Sequence, residues 1–178
     1  MNEVQPIKNL RDIERIKANL NDRNLLLFTF GINTALRISD ILSLRVRDVT
    51  GGVITVRERK TRKIKRIKIN ASLSDAINTL VPASANPDDF LFPSRKGNAP
   101  ISRVQAWRIL NSAAERAGVD IAIGTHSLRK TFAYHAYNNG TDITLLMRVL
   151  NHSNQRETLR YIGIEQDEID NVYIDVCL

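Results

Sequence analysis

Residues 53–69 read VITVRERKTRKIKRIKI, and their pattern decides the class of fold. Val53, Thr55 and Arg57 alternate with their neighbours on one side of the polar KTRK at 60–63; Ile64, Arg66 and Lys68 interleave with Lys65, Ile67 and Ile69 on the other. Period-two alternation about a polar turn predicts a β-hairpin. The surrounding chain has the three- and four-residue period of helices instead. Upstream, Ile7, Leu10, Ile13, Ile16 and Leu20 make the buried stripe of an amphipathic helix near 8–20. RNLLLFTFGINTAL (23–36) is apolar on nearly every face and longer than a typical strand, which predicts a central buried helix. RISDILSLRV (37–46) restarts with Ser39 or Asp40 as cap and Ile41, Leu42 and Leu44 inward.

Downstream of the hairpin, SLSDAINTLV (72–81) is a short helix and NPDDFLFPSRKGNAP (86–100) a loop-rich connection. SRVQAWRILNSAAERAG (102–118) is a strong helix with Ser102 as cap and Gly118 as stop. HSLRKTFAYHAYNNG ends likewise at Gly140, and DITLLMRVLNH follows with Thr141 or Asp142 as cap. The prediction is an α+β chain, mainly helical, with one small antiparallel β-sheet.

A length of 178 residues suits one compact domain. The net charge of +7 points to a polyanionic partner. Residues 161–178 hold five acids and no Lys or Arg, so the first 160 residues carry +12, the total less the tail's −5. The single cysteine, Cys177, excludes an intramolecular disulfide and a thiolate zinc site, and fits a reducing, cytoplasmic setting. No apolar run reaches the ~18–20 residues of a membrane span, and the polar opening is no signal peptide.

The hairpin holds eight basic residues, Arg57, Arg59, Lys60, Arg62, Lys63, Lys65, Arg66 and Lys68, against one acid, Glu58. Charges that merely protect a sheet edge from aggregation could be of both signs and far fewer. Contact with nucleic-acid phosphates is the better reading, and such contact is insensitive to sequence and sensitive to salt. In HSLRK (126–130), His126 lies at the helix cap and Arg129 three positions on, so both address one point beside an anion-favouring N-terminus. A surface ion pair and a simple cap are the plain alternatives for these two, and His135 reads as structural. Adjacent Asp88 and Asp89 diverge if extended, no His pair has ligand spacing, and no GxxxxGK[ST] loop is present. Phosphate chemistry here would be metal-free and would need a covalent nucleophile, guanidinium groups on the nonbridging oxygens and a proton donor for the leaving oxygen.

TALRISDILSL (34–44), KTRK (60–63), HSLRK (126–130) and LNHSNQRETLRY (150–161) resemble the successive boxes of the tyrosine recombinase (phage integrase) family, whose catalytic fold is shared with type IB topoisomerases. The spacing agrees too: Lys60 is 23 after Arg37, His152 is 23 after Arg129, and Tyr161 is 9 after His152. The resemblance runs from about residue 8 to 162. It implies that Tyr161 attacks a DNA phosphodiester to give a 3′-phosphotyrosyl bond and a free 5′-hydroxyl. Arg37 and Arg129 would hold the nonbridging oxygens with His152 beside them. Lys60 would protonate the leaving 5′ oxygen, and His126 would assist proton transfer at the tyrosine. Asp40 would orient Arg37, and Arg57, Arg59, Arg62, Lys63, Lys65 and Arg66 would contact DNA.

By the same resemblance the chain is a single catalytic domain over 1–178, with a core at 8–162, a tail at 163–178, and the N-terminal core-binding and arm-binding domains absent. No cofactor is implied. The partner is double-stranded DNA, with a homo-oligomer on it, a tetramer for strand exchange, and a bacterial or phage-encoded origin. The tail's apolar positions Ile164, Ile169, Val172, Tyr173 and Val176 have helix-like spacing, and could dock on their own body or on a neighbour to make a dimer. Two other readings stay open. One is a DNA-binding or regulatory module with this fold and little turnover; the other is topoisomerase-like cleavage and resealing of one strand.

Overall fold

The computed structural model describes residues 4–164 and 173–176. Eight helices and one hairpin are seen among them: α1 (Leu10–Ala18), α2 (Asp22–Thr34), α3 (Ile38–Ile41), a 3-10 turn at Val46–Val49, β1 (Val53–Arg57), β2 (Ile64–Lys68), α4 (Ala71–Leu80), α5 (Arg103–Arg116), α6 (Thr125–Asn138), α7 (Ile143–Leu150) and α8 (Gln155–Ile162). The predicted hairpin forms with antiparallel register, Val53 opposite Lys68 and Arg57 opposite Ile64. Ile54 and Val56 point inward, while Thr55 and Arg57 face out.

The central helix is α2. Its Leu26, Leu27 and Phe30 join a core beneath the hairpin with Ile54, Val56, Leu73, Leu91 and Phe92, where Phe30 and Phe92 meet edge to face at 5.9 Å. On its other side Phe28 packs with Ile13, Ile16, Leu110 and Leu128. A helix flanked by two cores must be apolar nearly all round, as 23–36 is. Leu128 of α6 crosses α2 at Gly31, where a Cβ would lie 2.4 Å from Leu128 Cδ1. The missing side chain therefore lets α6 lie against α2. A third core of Ala35, Ala133, Leu146, Leu150 and Ile162 seats α7 and α8 on α6.

Several local expectations need correction. Leu10 is 66% exposed and leaves the α1 stripe, whose buried members are Ile13 and Ile16. After α2 the chain makes one helical turn whose N-cap is Arg37, ahead of the expected Ser39 or Asp40. Ala35 there has φ +53°, so the backbone reverses through a left-handed residue and enters the next turn through Arg37 in extended conformation. Helix α6 begins at Thr125 with Gly124 as N-cap, placing His126 inside its first turn. Ser102 and Asp142 cap α5 and α7 with their side chains. In the tail, Tyr173 and Val176 are exposed; Ile169, Val172 and Cys177 lie outside the described residues.

Candidate active site

Three elements bring the basic and aromatic residues together: the turn after α2, the first turns of α6, and the α7–α8 junction. Arg129 is the anchor. It is 2% exposed, and its guanidinium donates to the carbonyl of Ala35, and to that of Leu150 at 2.5 Å. Both carbonyls lie at helix C-terminal ends, next to or at a left-handed cap residue (Ala35 and Asn151). Such ends carry unmatched oxygens and partial negative charge, which a guanidinium fork satisfies. One side chain thus fixes the ends of α2 and α7 against α6.

Arg37 leaves the α2–α3 turn and donates from Nη1 to Glu58 Oε1 at 3.0 Å. The same oxygen lies 3.8 Å from Lys65 Nζ and 3.9 Å from Arg129 Nη1. Glu58 is fully buried, and its other oxygen accepts from Thr61 Oγ1 at 2.7 Å and Asn151 Nδ2 at 2.6 Å. A buried carboxylate is tolerated only when paired and hydrogen-bonded in this way. Asp40 was expected to orient Arg37. The structure gives that ion pair to Glu58, while Asp40, also fully buried, accepts the Arg59 backbone N–H at 2.9 Å and ties down the hairpin.

His152 and Tyr161 meet at the far side. Asn154 caps α8 by accepting from the Glu157 N–H at 2.7 Å, and that helix carries Tyr161 back over His152. Their rings stand perpendicular with centroids 4.9 Å apart. The buried Thr158 hydroxyl lies 3.1 Å from His152 Nδ1 and orients the imidazole. The Tyr161 hydroxyl is buried beside Arg129, close enough to feel its charge. Burial raises the phenol's pKa, and Arg129 and Arg37 oppose that rise. Lys130 lies over the Tyr161 ring at 5.2 Å.

The imidazoles are biased to the neutral form. Burial, then Arg129 and Arg103, hold His126 below its ordinary pKa; burial also lowers His152, with Glu157 opposing. Neutral imidazole can accept a proton, which suits His126 for work at a phenol. His135 is structural as expected, with Nε2 3.0 Å from the Ile7 carbonyl oxygen.

The eight hairpin cations do not act alike. Arg57, Arg59, Lys60, Arg62, Lys63, Arg66 and Lys68 are exposed. Lys65 faces inward instead and donates to the Val149 carbonyl at 2.6 Å. Burial, followed by Arg129, pushes its pKa down to about 8 despite Glu58. Lys65 was expected to belong to the outward DNA-contacting set, and the pleat of β2 places it opposite Val56 on the inner face. Lys60 lies at the hairpin tip with no hydrogen bond or ion pair among the described residues. Among those residues no group of three His, Cys, Asp or Glu could hold a metal ion, and no helix is long and apolar enough to cross a membrane.

Residues 8–168 match the Phage integrase family. The chain belongs to that family. The Bacillus subtilis (strain 168) protein described as "Probable integrase/recombinase YoeC" is 46% identical over 97% of both chains. Against tyrosine recombinases of the Xer type the chain spans little more than half of the relative, as with 32% identity to XerD of Corynebacterium glutamicum over 88% of this chain and 52% of that one. The integrase fold is shared with the crystal structure of XerA recombinase at a TM-score of 0.79, 19% identity, 98% of this chain and 65% of that one. It is shared equally with a lambda integrase tetramer bound to a Holliday junction, at a TM-score of 0.72, 15% identity, 93% of this chain and 51% of that one.

Sequence reasoning passed over Glu58, Asn151 and Thr158. Glu58 had a signal: it continues the inward positions Ile54 and Val56, so an acid at that phase must be buried among cations. The other two are ordinary polar residues whose partners are distant in sequence or fixed by the cap.

Proposed function

We propose that the protein is a DNA strand-cleaving and rejoining recombinase that works through a 3′-phosphotyrosyl bond at Tyr161. The observation that carries this reading is the convergence of a buried tyrosine hydroxyl, a buried arginine and a histidine ring on one point, with Arg37 beside them. Tyr161 Oη attacks the phosphorus, its proton passes to neutral His126, and the bond from phosphorus to the 5′ oxygen breaks. Arg37 and Arg129 stabilise the charge on the nonbridging oxygens as planar donors, with His152 adding a hydrogen bond. The phosphotyrosyl bond conserves the energy of the broken linkage, so a 5′-hydroxyl from another strand can reverse the steps. The exposed hairpin cations bind the DNA backbone, and double-stranded DNA is the partner, on which copies assemble as the DNA-bound lambda integrase does.

The leaving oxygen needs a proton, and two lysines compete for that role. Lys60 matches the family motif and would have to fold in from the tip once DNA binds. Lys65 is favoured by a separate observation, since its ammonium already lies beside Glu58 and Arg129 and its pKa is pushed down to about 8. Cleavage of a normal substrate and of one with a 5′-bridging sulfur, whose leaving thiolate needs no proton, separates them. The true donor is the lysine whose alanine variant slows only the oxygen substrate; equal damage to both substrates removes that lysine from the role. Peptide mapping of the trapped adduct should place the DNA on Tyr161, and attachment to any other residue contradicts the reading.

A further inference from the structure

Two arginines and a lysine face one oxygen of Glu58, an arrangement that looks like an occupied anion site. Three positive groups lie within 3.9 Å of Oε1: Arg37 Nη1, Lys65 Nζ and Arg129 Nη1. Only the first is a hydrogen bond by distance; the two longer approaches are charge contacts without direct bonds. The carboxylate's second oxygen is held by neutral donors, Thr61 and Asn151. The residue therefore has two different sides, one toward cations and one toward groups that could keep it if the cations were taken.

We propose that Glu58 is a positioning residue that serves as a resident anion, holding Arg37 and Lys65 in the DNA-free site and giving them up to the scissile phosphate when DNA binds. This rests on the reading of Arg37 and Arg129 as phosphate ligands. A phosphate with two nonbridging oxygens uses guanidinium forks better than a single carboxylate oxygen does. Before it arrives, unneutralised Arg37, Lys65 and Arg129 would repel one another at close range in a poorly hydrated site. Glu58 removes that repulsion and keeps Arg37 aimed inward. Its place at the end of β1 adds a consequence. The Glu58 backbone N–H donates to Lys63 O at 3.0 Å and its carbonyl accepts from the Arg62 N–H at 2.9 Å, so the side chain is anchored at the base of the tip that carries Lys60. Exchange of Arg37 therefore changes a contact at the base of the tip that carries Lys60.

Inorganic phosphate is a sufficient probe, because a fixed structural counter-charge would keep its contact with Arg37 when phosphate binds, whereas an exchangeable one gives it up. Calorimetric titration of phosphate into Glu58→Gln, which keeps the shape and an acceptor oxygen, should show affinity raised at least about fivefold, because a competing charge has gone. Asp88→Asn, which removes an exposed acid paired with Arg47, should stay within about twofold of the parent. Unchanged or weaker phosphate binding by a folded Glu58→Gln overturns the proposal. If that variant does not fold, a crystal of the unaltered protein soaked in phosphate decides. Phosphate on Arg37 with the Glu58 carboxylate turned away supports the exchange; phosphate absent, or bound with the Arg37–Glu58 contact intact, refutes it. None of these results requires Tyr161 to react, so loss of the phosphotyrosyl chemistry and loss of the anion exchange are separate outcomes.

Discussion

Arg129 and Lys60 stand at opposite extremes of one site. Arg129 is sealed in, with two helix-end carbonyls and a neighbouring carboxylate to hold it before any DNA is present. Lys60 sits at an exposed hairpin tip with no hydrogen bond or ion pair among the described residues. The contrast divides the site into a half built by packing and a half that only a ligand can order. Changes in the first half should therefore register in stability, and changes in the second chiefly in DNA binding and rate.

The largest effect is expected at Arg129. Replacing it with Ala strands the Ala35 and Leu150 carbonyls and leaves Glu58 less compensated, at a cost of about 3–5 kcal/mol. Thermal or urea unfolding measures this, and a loss under ~1 kcal/mol would place Arg129 with the exposed half. Arg129→Lys should recover little, because one ammonium cannot bridge both helix ends. Next is Gly31→Ala, whose methyl meets Leu128 at the α2–α6 crossing; about 1–3 kcal/mol should be lost despite the better helix propensity of alanine.

Lys65 sharpens the comparison from the hairpin's inner face. Its folded pKa of about 8 lies below the ordinary 10.5, so between those values the unfolded chain holds a proton that the folded chain has released. Stability from this group consequently rises with pH across that window. Lys65→Met should flatten that rise in chemical unfolding measured from pH 7.5 to 10, whereas Lys60→Met should leave it alone. The smallest stability effect belongs to the outer face. Lys63→Ala or Arg66→Ala should shift stability by no more than about 0.5 kcal/mol. Each should instead lower the slope of DNA affinity against salt by about 1, the signature of one lost phosphate contact.

The same division governs what could be read from the sequence. The hairpin, the buried α2 and the caps at Ser102 and Asp142 follow from short-range patterns and were legible. Arg37, Arg129, His152 and Tyr161 were found through the family resemblance, with which their spacing agrees, and folding brings the four to one region. What was not legible depends on contacts distant in the chain. Glu58 is 93 residues from Asn151 and 21 from Arg37, and no local pattern ties an acid in a basic hairpin to either. Leu10 fell outside the core because helical period fixes a face and not what covers it. Lys65 was grouped with its neighbours by charge, whereas the pleat sorts them by side of the sheet.

The central claim is that Tyr161, already enclosed with Arg129 and His152, is the nucleophile of a metal-free reaction. A nicked suicide duplex DNA, incubated with chelator and resolved on a denaturing gel, tests it directly. The unaltered protein should form a covalent protein–DNA adduct and Tyr161→Phe should form none. An adduct that persists in Tyr161→Phe, or cleavage by the unaltered protein that appears only with added Mg²⁺, would contradict it.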